Sequence, residues 1–224
     1  MPSPVESCVR HLVEEIDAYL ATLRGPGVAE VRAGLTQWQG AAFVEPVATA
    51  TQLPDDLDQA LGLLSADGHP SLAQAIAQAS PCLKWITYDR YPLESIGAAF
   101  ANSHSYCSVV GEQGPVQAKD FDLGLFIIKP HTLYRDHHHP APELYAPLTG
   151  PHGWRFAKDE PLSWKAAHET VWNPPLQHHA TLTGPNPFLC IFGWTRDVQA
   201  SAHVIGCDDW AALEQQSPPL ASVR

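Results

Sequence analysis

The chain changes texture near Trp85, and that change constrains its fold more than any other feature of the sequence. Beyond it, short segments rich in β-branched and aromatic residues recur at intervals of roughly ten residues, with Gly and Pro between them. Strands are expected at 106–110, 123–128, 143–148, 154–157, 170–172, 179–182 and 188–194, with turns at Asn186-Pro187 and Gly150-Pro151. Regular short strands of this kind build a sandwich or a barrel.

The first third reads as helical instead. Ser3, Pro4 and Glu6 offer an N-cap, a proline at the first helical position and a capping-box acid, after which Val9, Leu12, Val13, Ile16 and Leu20 recur at helical spacing. Gly25-Pro26-Gly27 ends that helix. Val28, Val31, Leu35 and Trp38 suggest a second, Leu57, Ala60, Leu61 and Leu64 a third, and Leu72, Ala75, Ile76 and Ala79 a fourth that stops before Pro81. The expected division is a helical extension at 1–84, a β-rich unit at 85–210 and a tail at 211–224.

Charge removes one class of partner. Lys plus Arg is 13 against 24 Asp plus Glu, a net −11, the wrong sign for gripping a phosphate backbone, and nucleic acid is not an expected partner. Nowhere do 18 apolar residues run together, so no membrane span is expected. The charged residues between 1 and 20 interrupt any signal-peptide core. Five cysteines, with no CxxC pair, suggest reduced thiols in buried positions. A soluble cytoplasmic protein is expected.

Eight of the twelve histidines fall within residues 131–179. In a strand, side chains at i and i+2 share a face, so His137 and His139 would present two imidazoles together. Glu143 and Tyr145 have the same parity, although Pro140 and Pro142 imply a turn between the pairs. The other tight pair downstream, His178-His179, follows Asn173-Pro174-Pro175 and is the candidate source of a third imidazole. Three imidazoles and a carboxylate suit zinc, iron, manganese or nickel, with positions left open for substrate. His138 points the other way, and His131, His152 and His168 read as structural or exposed.

These residues resemble the cupin superfamily. His137 to Glu143 and on to Gly150 fits the first cupin motif, HxHxxxExxxxxxG, although His131 stands where that motif normally opens with glycine. Pro174 to His179 fits the second, PxGxxH, except that Leu176 replaces the glycine, and this alignment selects His179 over His178. The implied fold is a mainly β cupin barrel, a double-stranded β-helix or jelly roll, behind an N-terminal α-helical extension.

Within the cupins the chain is most similar to the dimethylsulfoniopropionate lyases, over roughly residues 85 to 205. The similarity rests on the segment HHPAPELYAPLTG, with Tyr145 two residues after the motif glutamate, and on Val171-Trp172-Asn173-Pro174 leading to His179-Ala180 and Thr183. Tyr134 and Trp194 stand where that family places pocket aromatics. The resemblance implies one divalent transition metal held by His137, His139, Glu143 and His179. It also implies β-elimination of dimethylsulfoniopropionate to dimethyl sulfide and acrylate, with Tyr145 as base and Tyr134 as second base or carboxylate donor. Trp194 is expected to receive the sulfonium, and Trp172 and Trp154 are further candidates for that contact. Cupin relatives commonly pair, so a homodimer is open to this chain.

Cupin folds host unrelated functions. An iron dioxygenase acting on a small acid or thiol would share the ligands but need oxygen, and a small-molecule-binding cupin with a structural metal would bind without turnover. A DNA-binding regulator is disfavoured, because the helices show no basic recognition face.

Overall fold

Ser3 caps the first helix: its side-chain oxygen accepts the Glu6 backbone N–H at 3.1 Å, and Pro4 occupies a position whose N–H would go unpaired. The Glu6 carboxylate, expected to reach back to the cap, instead accepts from Arg10 Nε one turn on, at 2.8 Å. In the computed structural model, which describes residues 1–218, the four expected helices are α1 (Pro4–Thr22), α2 (Val28–Trp38), α3 (Pro54–Ala66) and α4 (Pro70–Ala79). The expected tail contains most of a short helix, Trp210–Leu213, while residues 219–224 lie outside the described residues.

Ten strands follow: β1 (His104–Gly111), β2 (Asp122–Ile128), β3 (Leu133–His138), β4 (Glu143–Pro147), β5 (His152–Arg155), β6 (Ser163–Lys165), β7 (Val171–Asn173), β8 (His179–Thr183), β9 (Phe188–Trp194) and β10 (His203–Val204). They form two five-stranded antiparallel sheets, ordered β1-β2-β9-β4-β7 and β10-β3-β8-β5-β6. This is the mainly β, cupin-like architecture with helices ahead of it. Strands β3, β6 and β10 escape the sequence pattern. The residues of β3, LYRDHH, carry charge and imidazole where a strand core would carry apolar side chains. Two one-turn helices, Leu93–Ile96 and Ala98–Ala101, also interrupt the region expected to be strands.

The helices share a core with the first sheet. Leu12, Ile16, Leu20, Leu35, Leu64 and Ile76 are buried in one cluster with Leu125, Leu144 and Ile191 from β2, β4 and β9. Alternation sends Leu125, Leu144 and Ile191 to the outer face and their neighbours to the inner face. His168 fastens the two layers, its ring bonding the Tyr19 hydroxyl and an Asp67 carboxylate oxygen, each at 2.8 Å. Among the described residues no helix is long and apolar enough to cross a membrane, and all five cysteines are free, three of them buried.

The inner face of the first sheet is a grid. Asp122 on β2, Trp194 on β9, Glu143 on β4 and Asn173 on β7 are mutual register partners and form one row. Gly124, Phe192, Tyr145 and Val171 form the next. Gly124 is required here, since a Cβ would lie 2.0 Å from the Cys107 carbonyl oxygen and 2.7 Å from the Phe192 ring.

Both departures from the cupin motifs keep the backbone of the residue they replace. His131 has φ 53° and Leu176 φ 61°, the left-handed region that glycine enters without a steric penalty. Leu176 is exposed, and its N–H donates to the His139 carbonyl at 2.8 Å, joining the two motif loops. Leu176→Gly should therefore leave the free energy of urea unfolding unchanged or raise it by up to about 1 kcal/mol, whereas β-branched Leu176→Val should lower it by more than about 1 kcal/mol. Equal effects of the two substitutions would contradict a conformational demand at this position.

Candidate active site

The backbone sets the direction of three imidazoles. Nδ1–H of His137 donates to the Arg135 carbonyl at 2.7 Å, that of His139 to Ala141 at 2.8 Å, and that of His179 to Gln177 at 2.8 Å. Each carbonyl lies two residues away, so local chain geometry fixes the tautomer and leaves the lone pair on Nε2. The three rings converge, with ligating atoms all within 4.8 Å of one another. Nε2 of His137 and of His179 is buried without a hydrogen-bond partner. Glu143 Oε2 lies 3.0 Å from His139 Nε2 and 3.7 Å from His179 Nε2.

A bulge makes this convergence possible. Tyr134 pairs with Thr181 but His137 with His179, so one extra residue enters β3 between the two pairs. Tyr134 and His137, three apart, then face the same side, and their rings stack at 4.0 Å. Asp136 goes to the opposite side, where it accepts from Nε and Nη2 of Arg155, from His178 and from Trp210 Nε1. The second histidine pair is thus divided between two faces, His179 in the imidazole cluster and His178 in this closed ion-pair network.

Orphaned lone pairs gathered beside a carboxylate form a donor set without an acceptor. This fits a borderline divalent cation with N/O ligands. Burial pulls His137 down to about 3 and His179 well below its ordinary value, with the neighbouring histidines adding to both shifts. Burial also pulls on His139, but the Glu143 charge, its hydrogen bond and the Ala141 carbonyl outweigh it and raise the pKa. Glu143, pushed up by burial, is brought below the ordinary carboxylate range by His139, His179 and Trp194.

Trp194 touches two members of this cluster. Its ring stacks on His139 at 4.6 Å and its Nε1–H donates to Glu143 Oε1 at 2.7 Å. Trp194, Glu143, Tyr145 and Tyr134 all line a cavity of about 200 Å³, smaller than drug-sized pockets of roughly 300–1,000 Å³. Tyr145 and Tyr134 are buried, and their hydroxyls are pushed far above the ordinary tyrosine value, first by burial and then by neighbouring acidic groups. The Tyr134 hydroxyl is hydrogen-bonded to that of Tyr91 at 2.8 Å, and its ring lies between Phe100 and His137.

The other two candidate tryptophans, Trp172 and Trp154, lie outside the cavity lining. Trp172 pairs with Leu144 on the outer-face parity and packs against Gly27 at the start of α2, away from the cavity. Trp154 is buried behind Tyr145, ring centroids 5.0 Å apart, with its Nε1–H donated to His152 Nδ1 at 2.7 Å. Neither borders the cavity. Sequence reasoning missed Tyr91, just ahead of the two one-turn helices, Phe100 in the second of them, and Asn173, whose buried amide group has no partner and which is in register with Glu143. The parity of Asn173 with Val171 was the one available signal.

Histidines held neutral make the metal-free protein sensitive to acid. For His137 and His152, whose pKa values fall to about 3 and about 4, the unfolded chain binds protons below pH 6.5 that the folded chain refuses. Stability therefore falls with pH by about 1.4 kcal/mol per unit for each. His139, shifted upward, has its contribution fully present below 6.5 and does not offset the loss. Chelator-treated protein should lose about 2 kcal/mol or more of unfolding free energy between pH 6.5 and 5. Equal stability at the two pH values would contradict neutral burial of these rings.

Comparison with known proteins agrees with this geometry. A 141-residue stretch is 28% identical to a Cereibacter sphaeroides protein that carries the name dimethylsulfoniopropionate lyase DddL, and the match covers 62% of this chain and 57% of that one. The chain thus spans little more than half the length of that relative. Among solved structures, DMSP lyase DddQ from Ruegeria pomeroyi DSS-3 shares 21% identity at a TM-score of 0.66, over 89% of this chain and 96% of the other. A chain from the structures of the DMSP lyases RdDddP and RnDddQII shares 18% at 0.63, over 90% and 100%. At those identities the likeness establishes the fold. Residues 37–190, well over half the sequence, match the family model for dimethylsulfoniopropionate lyase, and the chain belongs to that family.

Proposed function

We propose that this protein is a metal-dependent lyase that cleaves dimethylsulfoniopropionate by β-elimination to dimethyl sulfide and acrylate. The observation that carries the reading is the placement of Tyr145 on the inner face beside Glu143, at the wall of a small cavity and 6.4 Å, ring to ring, from His179. His137, His139, His179 and Glu143 would hold the ion. When bound, a divalent ion supplies Lewis-acid neutralisation of the substrate carboxylate and favours a nearby tyrosinate.

The residues of the chain account for the rest of the reaction. Tyr145 Oη takes the proton from the α-carbon, and the C–H electron pair becomes the new C=C bond. The Cβ–S bond breaks with its electrons leaving on sulfur, so dimethyl sulfide departs neutral and no general acid is required. Tyr134, its hydroxyl held by Tyr91, is placed to donate to the substrate carboxylate. Burial of both tyrosines keeps water from the developing carbanion. Trp194 offers an aromatic face to the sulfonium, a contact of roughly 0.5–2 kcal/mol when desolvated, while orienting Glu143. Five unpaired thiols support a reducing, cytoplasmic setting.

Purified protein incubated with dimethylsulfoniopropionate without oxygen should release dimethyl sulfide and acrylate in equal amounts. Absence of both from fully metal-loaded protein would overturn the reading, and dependence on oxygen would transfer it to a dioxygenase. Tyr145→Phe should lower kcat about 10²–10⁴-fold with metal content unchanged. Trp194→Phe keeps an aromatic face but loses the N–H to Glu143, so metal affinity should drop about 10–100-fold by competition with a chelator. Unchanged affinity would leave Trp194 with a substrate contact alone.

A further inference from the structure

The row Asp122, Trp194, Glu143 crosses three adjacent strands on the inner face of the first sheet. Strands lie about 4.8 Å apart, so the backbones of Asp122 and Glu143 are separated by about 10 Å, with the Trp194 indole between them. Asp122 lines the same cavity as Glu143, Tyr145 and Trp194, two strands across the sheet from Glu143. Its carboxylate accepts the Ser108 hydroxyl at 2.6 Å. Among the described residues it forms no ion pair, although Arg90 also borders the cavity. Around it the walls are aromatic: Tyr88, Tyr106, Phe192 and Trp194.

A carboxylate without a cation, set among aromatic faces at one end of a cavity, is complementary to an organic onium group. Glu143, which lines the same cavity, lies 3.0 Å from His139 Nε2, so a cation held there would be complementary to a carboxylate. In dimethylsulfoniopropionate three single bonds separate the sulfur from the carboxylate carbon, a span of about 4 Å, shorter than the roughly 10 Å between the Asp122 and Glu143 backbones. We propose that Asp122 is the counter-ion for the cationic end of the substrate, so that the site selects zwitterionic onium carboxylates over neutral acids of the same shape. The assignment rests on the lyase reading for the position of the substrate carboxylate. Burial pushes the Asp122 carboxyl up to about 7, with Ser108 opposing the shift and Glu112 adding to it, and a cation beside it would favour the charged form.

Binding of three ligands to metal-loaded protein, by calorimetry, tests the assignment: dimethylsulfoniopropionate in a short cold titration, the trimethylammonium analogue 3-(trimethylammonio)propionate, and neutral-tailed 4-methylpentanoate. Wild type should prefer the trimethylammonium compound to 4-methylpentanoate by about tenfold or more. Asp122→Asn, which keeps the shape and the Ser108 contact, should abolish that preference by weakening the cationic ligand alone, and should raise KM for dimethylsulfoniopropionate more than it lowers kcat. Asp122→Ala should reproduce the loss, with metal content and thermal midpoint measured for each variant. A preference that survives both substitutions would overturn the assignment, as would equal affinities in wild type. Cation preference without any turnover would sink the lyase reading while leaving the Asp122 subsite in place.

Discussion

Three hydrogen bonds from imidazole Nδ1–H groups to backbone carbonyls two residues away underlie the rest of the site. Arg135, Ala141 and Gln177 provide those carbonyls, so the orientation of each ring is written into its own short stretch of chain. With Nδ1 protonated, a neutral ring carries its lone pair on Nε2, and burial favours the neutral form of His137 and His179. The fold then has one task, to bring the inner faces of β3, β8 and β4 together. Glu143 completes the set because Trp194 holds one of its carboxylate oxygens and leaves the other facing the histidines.

A sheet that spends its inner face on Glu143, Asp122, Asn173, Tyr145 and Trp194 needs apolar burial elsewhere. The N-terminal helices supply it, covering the outer-face residues Leu125, Leu144 and Ile191 with their own apolar stripes. Trp172 belongs to this layer: it packs over Gly27, where any side chain would collide with its ring. The extension is therefore part of the core of the sheet that carries the site, and the Tyr19–His168–Asp67 contacts tie it to the barrel across the layers.

The inner face also has polarity along its length. Glu143, 3.0 Å from His139 Nε2, and Asp122 stand two strands apart, with the Trp194 ring between them. Strand register produces this order, since Asp122, Trp194 and Glu143 occupy one row through pairings on both sides of β9.

Much of this is local and therefore legible in the residues themselves. Helical spacing marked α1 to α4, and the HxHxxxE spacing with a second histidine pair marked the residues that converge, because backbone carbonyls that fix the tautomer and strand parity act over two to six residues. Tertiary structure decided what depends on pairing with distant chain. The β3 bulge that turns Tyr134 toward His137 exists only against β8, and its charged, histidine-rich sequence hides the strand altogether. The sides taken by Trp172 and Asn173 follow from register with β4, some thirty residues away in sequence. Asp122 looks like an ordinary strand-end acid until β9 places Trp194 beside it, because side-chain parity in a strand is meaningful only relative to the strand it joins.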